Sequence, residues 1–533
     1  MTGFDLVIRN GRIIDGSGNP WYRADIGIRD GKIAYIGRIG PGENGQELDA
    51  ADKVVSPGFV DMHGHSDGQI LQSPDAANIV EQGITTEIGG MCGVTRAPVS
   101  EKYFAQLVKY AGAKADEETK AAWSGLTTFG RYLDRVAEMP LGTNLAAYVG
   151  HGTIRIAVMG FENRHATAAE LDKMKEHVRE AMESGAIGLS SGLIYPPGVY
   201  APTEELIELS KVVAEYGGSY CSHIRNESDD VINAVEEAIR IGRESGASVV
   251  ISHHKIAGRH NWGLSSTTLN IIEKANAEGV VVGLDQYPYE AGGTGLKSTI
   301  PGKFHEGGTE KLLERLRDPL IREEIKKLIM TPGGNWENLA LGCGFDGIMV
   351  FASNIPDVHG ITVAEYAARQ GQDPLEALLD LVLLSEGTAG AIYFMMGSED
   401  IERIMKHPFT MIGTDGGIVD PRYGSHPRST ATFPKVLGVY VREKQLLTLE
   451  DAIRKMTSLP AQKAGLKTKG LIREGLDADL VIFDPATVAG PATYAQPLLR
   501  NVGINYVIVN GGIAVKDNKY TGNGFGKVVL RSE

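Results

Sequence analysis

Residues 58–67 read GFVDMHGHSD, an apolar run that ends in two histidines, His63 and His65, one residue apart. In an extended segment, side chains two positions apart point the same way, so this pair could bind one metal ion. Two unrelated surface imidazoles would produce the same pattern. The answer therefore depends on whether the rest of the chain supplies further ligands.

Seven other short apolar runs end in a similar way, in polar or glycine-rich residues. The eight runs are residues 58–65, 84–93, 145–152, 186–193, 218–225, 248–255, 280–289 and 409–417. Amphipathic helix patterns lie between several of them, as in residues 167–185 and 230–246, each of which ends in glycine. Strands that alternate with helices form a parallel sheet, and eight such units predict an α/β fold, a closed (β/α)8 TIM-like barrel over residues 58–463.

The two ends of the chain have a different pattern. Apolar and polar residues alternate in residues 4–15 and 24–39, with Asn-Gly and Asp-Gly at the turns, and again in residues 478–486 and 504–520. We therefore expect one small β-sandwich-like domain built from residues 1–57 and 464–533. The interval of about residues 294–352 is rich in charge and glycine, and it predicts an inserted subdomain that could cover the site.

Composition narrows the class of partner. The 533 residues include 53 Lys and Arg against 67 Asp and Glu, a net charge of -14, with no block of basic residues. This balance argues against nucleic acid and anionic membrane as partners. The start of the chain is not a secretory signal, and no apolar run approaches the length of a transmembrane helix. Three cysteines cannot form a paired disulfide framework, so a cytoplasmic location is expected.

Residues able to bind a metal recur where the predicted strands end. They are His63 and His65 in the first run, Cys92 in the second, His223 in the fifth, His253 in the sixth and Asp415 in the eighth. Active-site residues of a barrel lie at the carboxyl ends of its strands, so all of these side chains would meet at one mouth. Cysteine and histidine ligands select zinc or a similar metal, with carboxylate as a further ligand. Any one of them has an ordinary explanation as a buried thiol, a hydrogen-bonded imidazole or a helix cap, but their coincidence favours a metal site.

Longer blocks of the sequence resemble a known family, the D-aminoacylases (N-acyl-D-amino-acid deacylases) of the amidohydrolase superfamily. The matching blocks include SPGFVDMHGHSD (56–67), GITTEIGGMCGVTRAPVS (83–100), GAIGLSSGLIYPPGVYAPTEEL (185–206), VVAEYGGSYCSHIRNE (212–227) and HPRSTATFPKVLGVYVRE (426–443). Shorter blocks are YVGHGTIR (148–155), VVISHHKIAG (249–258), LDQYPYEAGG (284–293) and MIGTDGG (411–417). The resemblance covers most of the predicted barrel and both ends.

The resemblance implies a zinc ion held tightly by Cys92, His223 and His253. It also implies a second, weaker metal position at His63, His65 and Asp415, and a substrate carboxylate bound by Lys255, Tyr287 and Arg428. Cys92 matches a thiolate ligand that stands where many amidohydrolases use a carboxylated lysine.

The implied activity is zinc-dependent hydrolysis of N-acyl-D-amino acids to a D-amino acid and a carboxylate. Zinc lowers the pKa of bound water and so supplies the nucleophile, and Asp415 would be the general acid and base. The D-stereochemistry rests on the resemblance alone.

Several residues depart from the family pattern or have weaker roles. Met91 replaces the usual Asn before the cysteine, Gly293 followed by Thr294 replaces a Ser that often contacts substrate, and residues 523–533 depart from the common ending. These departures leave the side-chain and acyl preferences open. Arg225 is a weaker candidate for the carboxylate, and His151 is a candidate hydrogen-bond donor to the site. His254 should point to the opposite face from His253, into packing.

Two alternative functions stay open at this point. One is another amidohydrolase reaction, such as hydrolysis of a cyclic amide or a dipeptide, with the same metal chemistry. The other is a non-catalytic barrel used for assembly, which would have no reason to retain the ligands and the acid/base residue together. The oligomeric state and the number of metals in use are not indicated by the sequence.

Overall fold

The computed structural model describes residues 3–40, 44–111, 117–334, 336–421 and 424–531. Its strands are β1 (Phe4–Ile13), β2 (Tyr22–Arg29), β3 (Lys32–Gly37), β4 (Asn44–Asp49), β5 (Val54–Pro57), β6 (Phe59–Asp61), β7 (Ile84–Gly89), β8 (Asn144–Ala147), β9 (Val149–Gly150), β10 (Gly188–Gly192), β11 (Ser219–His223), β12 (Ser248–Ile251), β13 (Val282–Gln286), β14 (Ala291–Gly295), β15 (Ile348–Phe351), β16 (Gly390–Phe394), β17 (Thr410–Ile412), β18 (Leu480–Phe483), β19 (Ile504–Val509), β20 (Gly512–Lys516) and β21 (Lys519–Tyr520).

The α-helices are α1 (Ala77–Val80), α2 (Phe104–Tyr110), α3 (Glu117–Trp123), α4 (Phe129–Ala137), α5 (His151–Met159), α6 (Ala168–Glu183), α7 (Thr203–Glu215), α8 (Val231–Ser245), α9 (Ser265–Ala277), α10 (Thr309–Arg317), α11 (Pro319–Ile329), α12 (Leu339–Cys343), α13 (Val363–Gln370), α14 (Pro374–Leu384), α15 (Ser398–Lys406), α16 (Arg428–Lys435), α17 (Leu449–Met456) and α18 (Ser458–Ala464). A π-helical segment, Val436–Glu443, continues α16. No described helix is both long and apolar enough to cross a membrane.

The parallel strands close into a barrel. One parallel sheet has the order β17-β13-β12-β11-β10-β9, and a second has the order β6-β7-β8. Tyr148 lies between β8 and β9 and its N–H donates to Gly89 at 3.0 Å, so β8 and β9 act as one interrupted strand. At the other seam, Met62 N–H donates to Ile412 at 3.3 Å. The result is the predicted (β/α)8 barrel.

The outer helices follow from their sequence patterns. In α6, Met174, Val178 and Met182 recur at helical spacing and are buried against the core. The helix starts at a capping box in which Thr167 and Glu170 satisfy each other's backbone donors. Helix α8 ends at Gly246, whose φ of +81° is a left-handed conformation that glycine adopts without steric cost.

Strands from both chain ends form one sheet beside the barrel. Its order is β21-β20-β19-β18-β5-β1-β2-β3, with β4 paired to β1. Antiparallel pairing of β5 with β18 joins the two ends, and a separate apolar cluster lies beneath the sheet. The predicted β-domain from both termini is therefore present, while its boundaries at residues 57 and 464 stay a prediction.

The segment between β13 and β17 carries the inserted elements. It contains the small sheet β14-β16-β15 and helices α10 to α15. The predicted interval of residues 294–352 covers its first part, and β16 lies beyond that interval because its pairing with β14 and β15 is long-range. Local patterns do not report such pairing.

Candidate metal centre

Three candidate ligands follow barrel strands directly and have an unusual backbone. Cys92, His253 and Asp415 come two or three residues after β7, β12 and β17, with φ values of 54°, 33° and 47°. A side chain other than glycine in this left-handed region costs about 1–3 kcal/mol. Such strain clusters at functional sites, where the surrounding packing holds it. At this mouth of the barrel, three residues with this backbone conformation carry candidate ligands.

The thiol of Cys92 lies at the centre of the cluster. Its Sγ is 3.4 Å from His63 Nε2, 3.4 Å from His253 Nε2 and 3.9 Å from His223 Nδ1. Burial opposes ionisation of the thiol, but the charge interactions with His63 and His253 dominate and hold the pKa of Cys92 well below its usual value. Cys92 is therefore prepared to be a thiolate ligand.

Asp415 faces two histidines with one oxygen and an arginine with the other. Its Oδ1 is 3.0 Å from His65 Nε2 and 3.6 Å from His63 Nε2, and its Oδ2 is 2.8 Å from Arg428 Nη1. Burial alone would raise the pKa of Asp415. Arg428 and the neighbouring imidazoles outweigh that effect and keep this pKa well below its usual value. The carboxyl is therefore ionised at neutral pH.

Glu227 lies on the other side of the cluster, and sequence reasoning missed it. Its Oε1 is 2.9 Å from His253 Nδ1 and 2.6 Å from Lys255 Nζ, and its Oε2 is 3.6 Å from His223 Nε2. Although burial opposes ionisation, Lys255 and the histidines keep the pKa of Glu227 far below its usual value. The available signal was an acid four residues after a candidate ligand, at the end of the matching block VVAEYGGSYCSHIRNE (212–227).

Lys255, Tyr287 and Arg428, predicted to bind a carboxylate, form one buried corner next to Asp415. The Arg428 guanidinium lies 4.9 Å from the centre of the Tyr287 ring, and Lys255 Nζ lies 5.8 Å from it. Arg428 also donates to the carbonyl of Gly293 at 3.0 Å. Two cations packed against one phenol ring make this corner suitable for an anion.

Two buried carboxyls, those of Asp285 and Asp61, contact the segments that carry the candidate ligands. Asp285 lies 3.2 Å from His63 Nδ1 and accepts the His253 N–H at 2.8 Å. Asp61 accepts the N–H groups of His63 and Thr414 at 3.0 and 2.8 Å. These carboxyls fix the segments that carry the histidines and Asp415, and their residue types alone did not distinguish them from other buried acids.

The remaining candidates from the sequence point elsewhere. Arg225 pairs with Glu237 at 2.8 Å, and His151 pairs with Glu205 at 2.8 Å, so neither faces the cluster. His254 Nε2 contacts Thr268 Oγ1 at 2.9 Å, on the opposite side from His253, as expected. Tyr195 was missed; its ring lies 5.0 Å from that of His223 and its hydroxyl accepts from Thr294 at 3.0 Å.

The donor set fits a zinc ion. Ligand atoms of two groups lie within 4.8 Å of one another, and the groups are His63, Cys92, His253 and Asp415, and His223, Glu227 and His253. His223 directs its Nδ1 toward Cys92 Sγ at 3.9 Å, and its Nε2 lies on the side of Glu227. A thiolate, imidazoles and a carboxylate are the ligands that zinc prefers.

Comparison with known proteins agrees with this geometry. The model of the amidohydrolase family matches residues 46–277 and 351–515. The chain belongs to this family. A D-aminoacylase of Alcaligenes xylosoxydans xylosoxydans is 38% identical over 529 residues, which cover 99% of this chain and 98% of that protein. An N-acyl-D-glutamate deacylase of the same organism is 38% identical over 521 residues, 95% of this chain and 93% of that protein.

Solved structures of amidohydrolases superpose along the whole chain. An N-acyl-D-glutamate deacylase from Bordetella bronchiseptica, complexed with zinc and a phosphonate mimic of the tetrahedral intermediate, is 38% identical. It has a TM-score of 0.83 over 99% of this chain and 100% of that one. A crystal structure of D-aminoacylase gives a TM-score of 0.82 at 37% identity, with 99% of this chain and 100% of that one covered. The resemblance to the D-aminoacylases is thereby confirmed.

Proposed function

We propose that this amidohydrolase is a zinc-dependent hydrolase that removes the acyl group from N-acyl-D-amino acids. The observation that carries the proposal is the Cys92 thiol, ringed by three histidines, with the ionised Asp415 and a buried cationic corner beside it. The similar D-aminoacylase and N-acyl-D-glutamate deacylase support this substrate class, and the D-configuration rests on them. Free buried thiols at Cys92, Cys221 and Cys343 support the expected cytoplasmic location.

Cys92, His223 and His253 would hold one zinc tightly. By resemblance to the D-aminoacylases, His63, His65 and Asp415 would form a second, weaker position. The His65 side chain there is about one-third exposed (32%), whereas His63 and Cys92 are buried. When bound, zinc lowers the pKa of water toward neutrality and polarises an amide carbonyl. A thiolate, and histidines that give up a ring proton when the metal binds, suit this role because a metal ligand must carry a free electron pair.

The cationic corner would bind the carboxylate of the substrate. Arg428 has a planar fork of donors that matches a carboxylate, and two of these donors already face Asp415 and Gly293. Lys255 and the Tyr287 hydroxyl add a charge and a further donor from the segments that follow the neighbouring strands β12 and β13. Since the corner adjoins Asp415, a bound carboxylate would place the scissile amide at the cluster.

Asp415 would move the proton during hydrolysis. As an ionised carboxylate it accepts a proton from the attacking water, and it then gives that proton to the nitrogen of the departing amine. Without this transfer the amine is a poor leaving group. Arg428 keeps Asp415 ionised in the free enzyme, so the base is ready before substrate arrives.

A hydrolysis panel tests the proposal. Purified protein is assayed with N-acetyl amino acids of both configurations, with dipeptides and with cyclic amides, each with and without added zinc. We expect zinc-dependent release of free D-amino acid. Activity confined to L-substrates, dipeptides or cyclic amides would overturn the proposed substrate class, and a protein that binds no zinc would overturn the metal site.

A further inference from the structure

A hydrogen-bond donor and a hydrogen-bond acceptor compete for the Nδ1 atom of His253. Lys255 Nζ lies 2.7 Å from Nδ1, and Glu227 Oε1 lies 2.9 Å from the same atom. The Nε2 atom of this ring is 3.4 Å from Cys92 Sγ, so it faces the cluster. All of these side chains are buried.

The two contacts demand opposite tautomers. An ammonium group only donates, so a Lys255–Nδ1 hydrogen bond requires a bare Nδ1 and leaves the ring proton on Nε2, against the cluster. A carboxylate only accepts, so a Glu227–Nδ1 bond requires the proton on Nδ1 and leaves the Nε2 electron pair free. A metal ligand needs the second arrangement.

We infer that Glu227 is a positioning residue that secures the metal-binding tautomer of His253 against Lys255. The inference rests on the proposed zinc site. Glu227 Oε1 accepts from Lys255 Nζ at 2.6 Å, which is closer than the Lys255–His253 contact. The carboxylate thereby gives the ammonium group another acceptor, and it also accepts a hydrogen bond from the Nδ1–H of His253. Lys255 can then lie beside a metal ligand without disabling it.

The inserted segment holds Glu227 in place. Its N–H donates to Glu337 Oε2 at 2.5 Å, and its carbonyl accepts from the Ala257 N–H at 2.8 Å. Glu337 precedes α12 and is only 5% exposed. No hydrogen bond joins Glu337 to His253 among the described residues, and a glutamine at position 337 keeps an oxygen that can accept the Glu227 N–H. Glu337→Gln is therefore a matched control for Glu227→Gln, because it changes a neighbouring buried carboxyl to an amide without changing the contacts of the imidazole.

Zinc affinity, measured by competition with a chromophoric chelator, tests the inference without relying on turnover. Loss of a partner that orients a metal-binding histidine costs about 10–100-fold in metal affinity, and we expect this loss for Glu227→Gln. Glu337→Gln should bind zinc close to wild type. The decisive variant is Glu227→Gln combined with Lys255→Met, in which the competing donor is gone and most of the zinc affinity should return.

Each outcome bears on a separate claim. Wild-type zinc affinity in Glu227→Gln, or no recovery in the double variant, would overturn the role of Glu227. If the wild-type protein itself binds no zinc, the proposed function fails. If Glu227→Gln does not fold, as judged by circular dichroism, the same comparison uses Glu227→Asp with and without Lys255→Met, and absence of recovery there overturns the inference.

Discussion

The cluster has two sides, each built from histidines, a carboxylate and a cation, but the parts are connected differently. On one side Glu227 lies behind His253 and His223, at their outer nitrogens, and Lys255 pairs with it at 2.6 Å. On the other side Asp415 itself faces the Nε2 atoms of His63 and His65, and Arg428 pairs with it at 2.8 Å.

We interpret this difference as a division of roles: the Glu227 side holds the metal, and the Asp415 side takes part in the reaction. A carboxylate behind the histidines orients them and stays out of reach of a substrate, which suits a permanently held metal. A carboxylate in front of them, beside a partly exposed imidazole, can exchange protons with a bound molecule. Substitutions on each side of the cluster can test this division of roles, and their expected effects range from complete loss of zinc to a small change in stability.

Removing the Cys92 thiol, which histidines of both sides contact, should abolish metal binding by the whole cluster. We expect Cys92→Ala to lose zinc on dialysis and to lose essentially all hydrolysis of N-acyl-D-amino acids, because Sγ is the atom that all three histidines surround. Zinc content by atomic absorption and turnover are the measurements. Cys221→Ala is the control, since this thiol is buried in the same barrel core but contacts Ser252 and Met91. Full zinc content in Cys92→Ala would refute the shared thiolate.

Asp415→Asn should affect the two sides of the cluster differently: turnover should fall while zinc stays bound. General acid–base catalysis contributes about 10²–10⁴-fold, and an amide cannot supply it, so turnover should fall within that range. Zinc should stay bound through Cys92, His223 and His253. Turnover and zinc content are measured on the same sample. A substitution at the neighbouring Asn78 would not be a suitable control, because Asn78 contacts the loop after Asp415. Wild-type turnover would contradict the acid–base role.

Arg428→Lys should weaken substrate binding more than chemistry. Lysine keeps the charge but loses the planar fork, so we expect KM for N-acyl-D-amino acids to rise and kcat to change less. The control is Arg225→Lys, an arginine near the same mouth that pairs with Glu237 instead. An equal rise of KM in both variants would argue against a specific carboxylate site at Arg428.

The smallest expected effect is a pH dependence of stability that comes from Glu87, a buried carboxyl on the Asp415 side of the cluster. Burial, with Asp61 nearby, raises the pKa of Glu87 to about 8, and this carboxyl accepts the Ser66 N–H next to the His63–His65 segment. At pH values between the ordinary pKa of a glutamate and about 8, Glu87 keeps its proton in the folded state and releases it in the unfolded state. The free energy of unfolding therefore falls as the pH rises through this range.

Glu87→Gln cannot ionise, and its melting temperature relative to wild type should therefore increase from acidic to mildly alkaline pH. Thermal melts of both proteins across that range measure the difference. A constant difference at all pH values would show that Glu87 does not titrate on folding.

Much of the fold and the site was predictable from the sequence because the signals are local. Each barrel strand is a short apolar run, each is followed by its polar residues, and Cys92, His223, His253 and Asp415 lie within three residues of a strand end. The family blocks then predicted Lys255, Tyr287 and Arg428, which the structure brings to one corner.

What the sequence by itself determined is the barrel with its β-domain and the residue types at its mouth, since hydrophobic periodicity and strand ends are properties of neighbouring residues. Only the tertiary structure decided which partners those residues have. His65 and Asp415 meet across 350 positions, Glu227 reaches Lys255 across 28, and Arg225 turns to Glu237 while Arg428 turns to Asp415. Such pairings depend on how distant strands and helices pack against one another. They therefore cannot be predicted from the types and spacing of neighbouring residues.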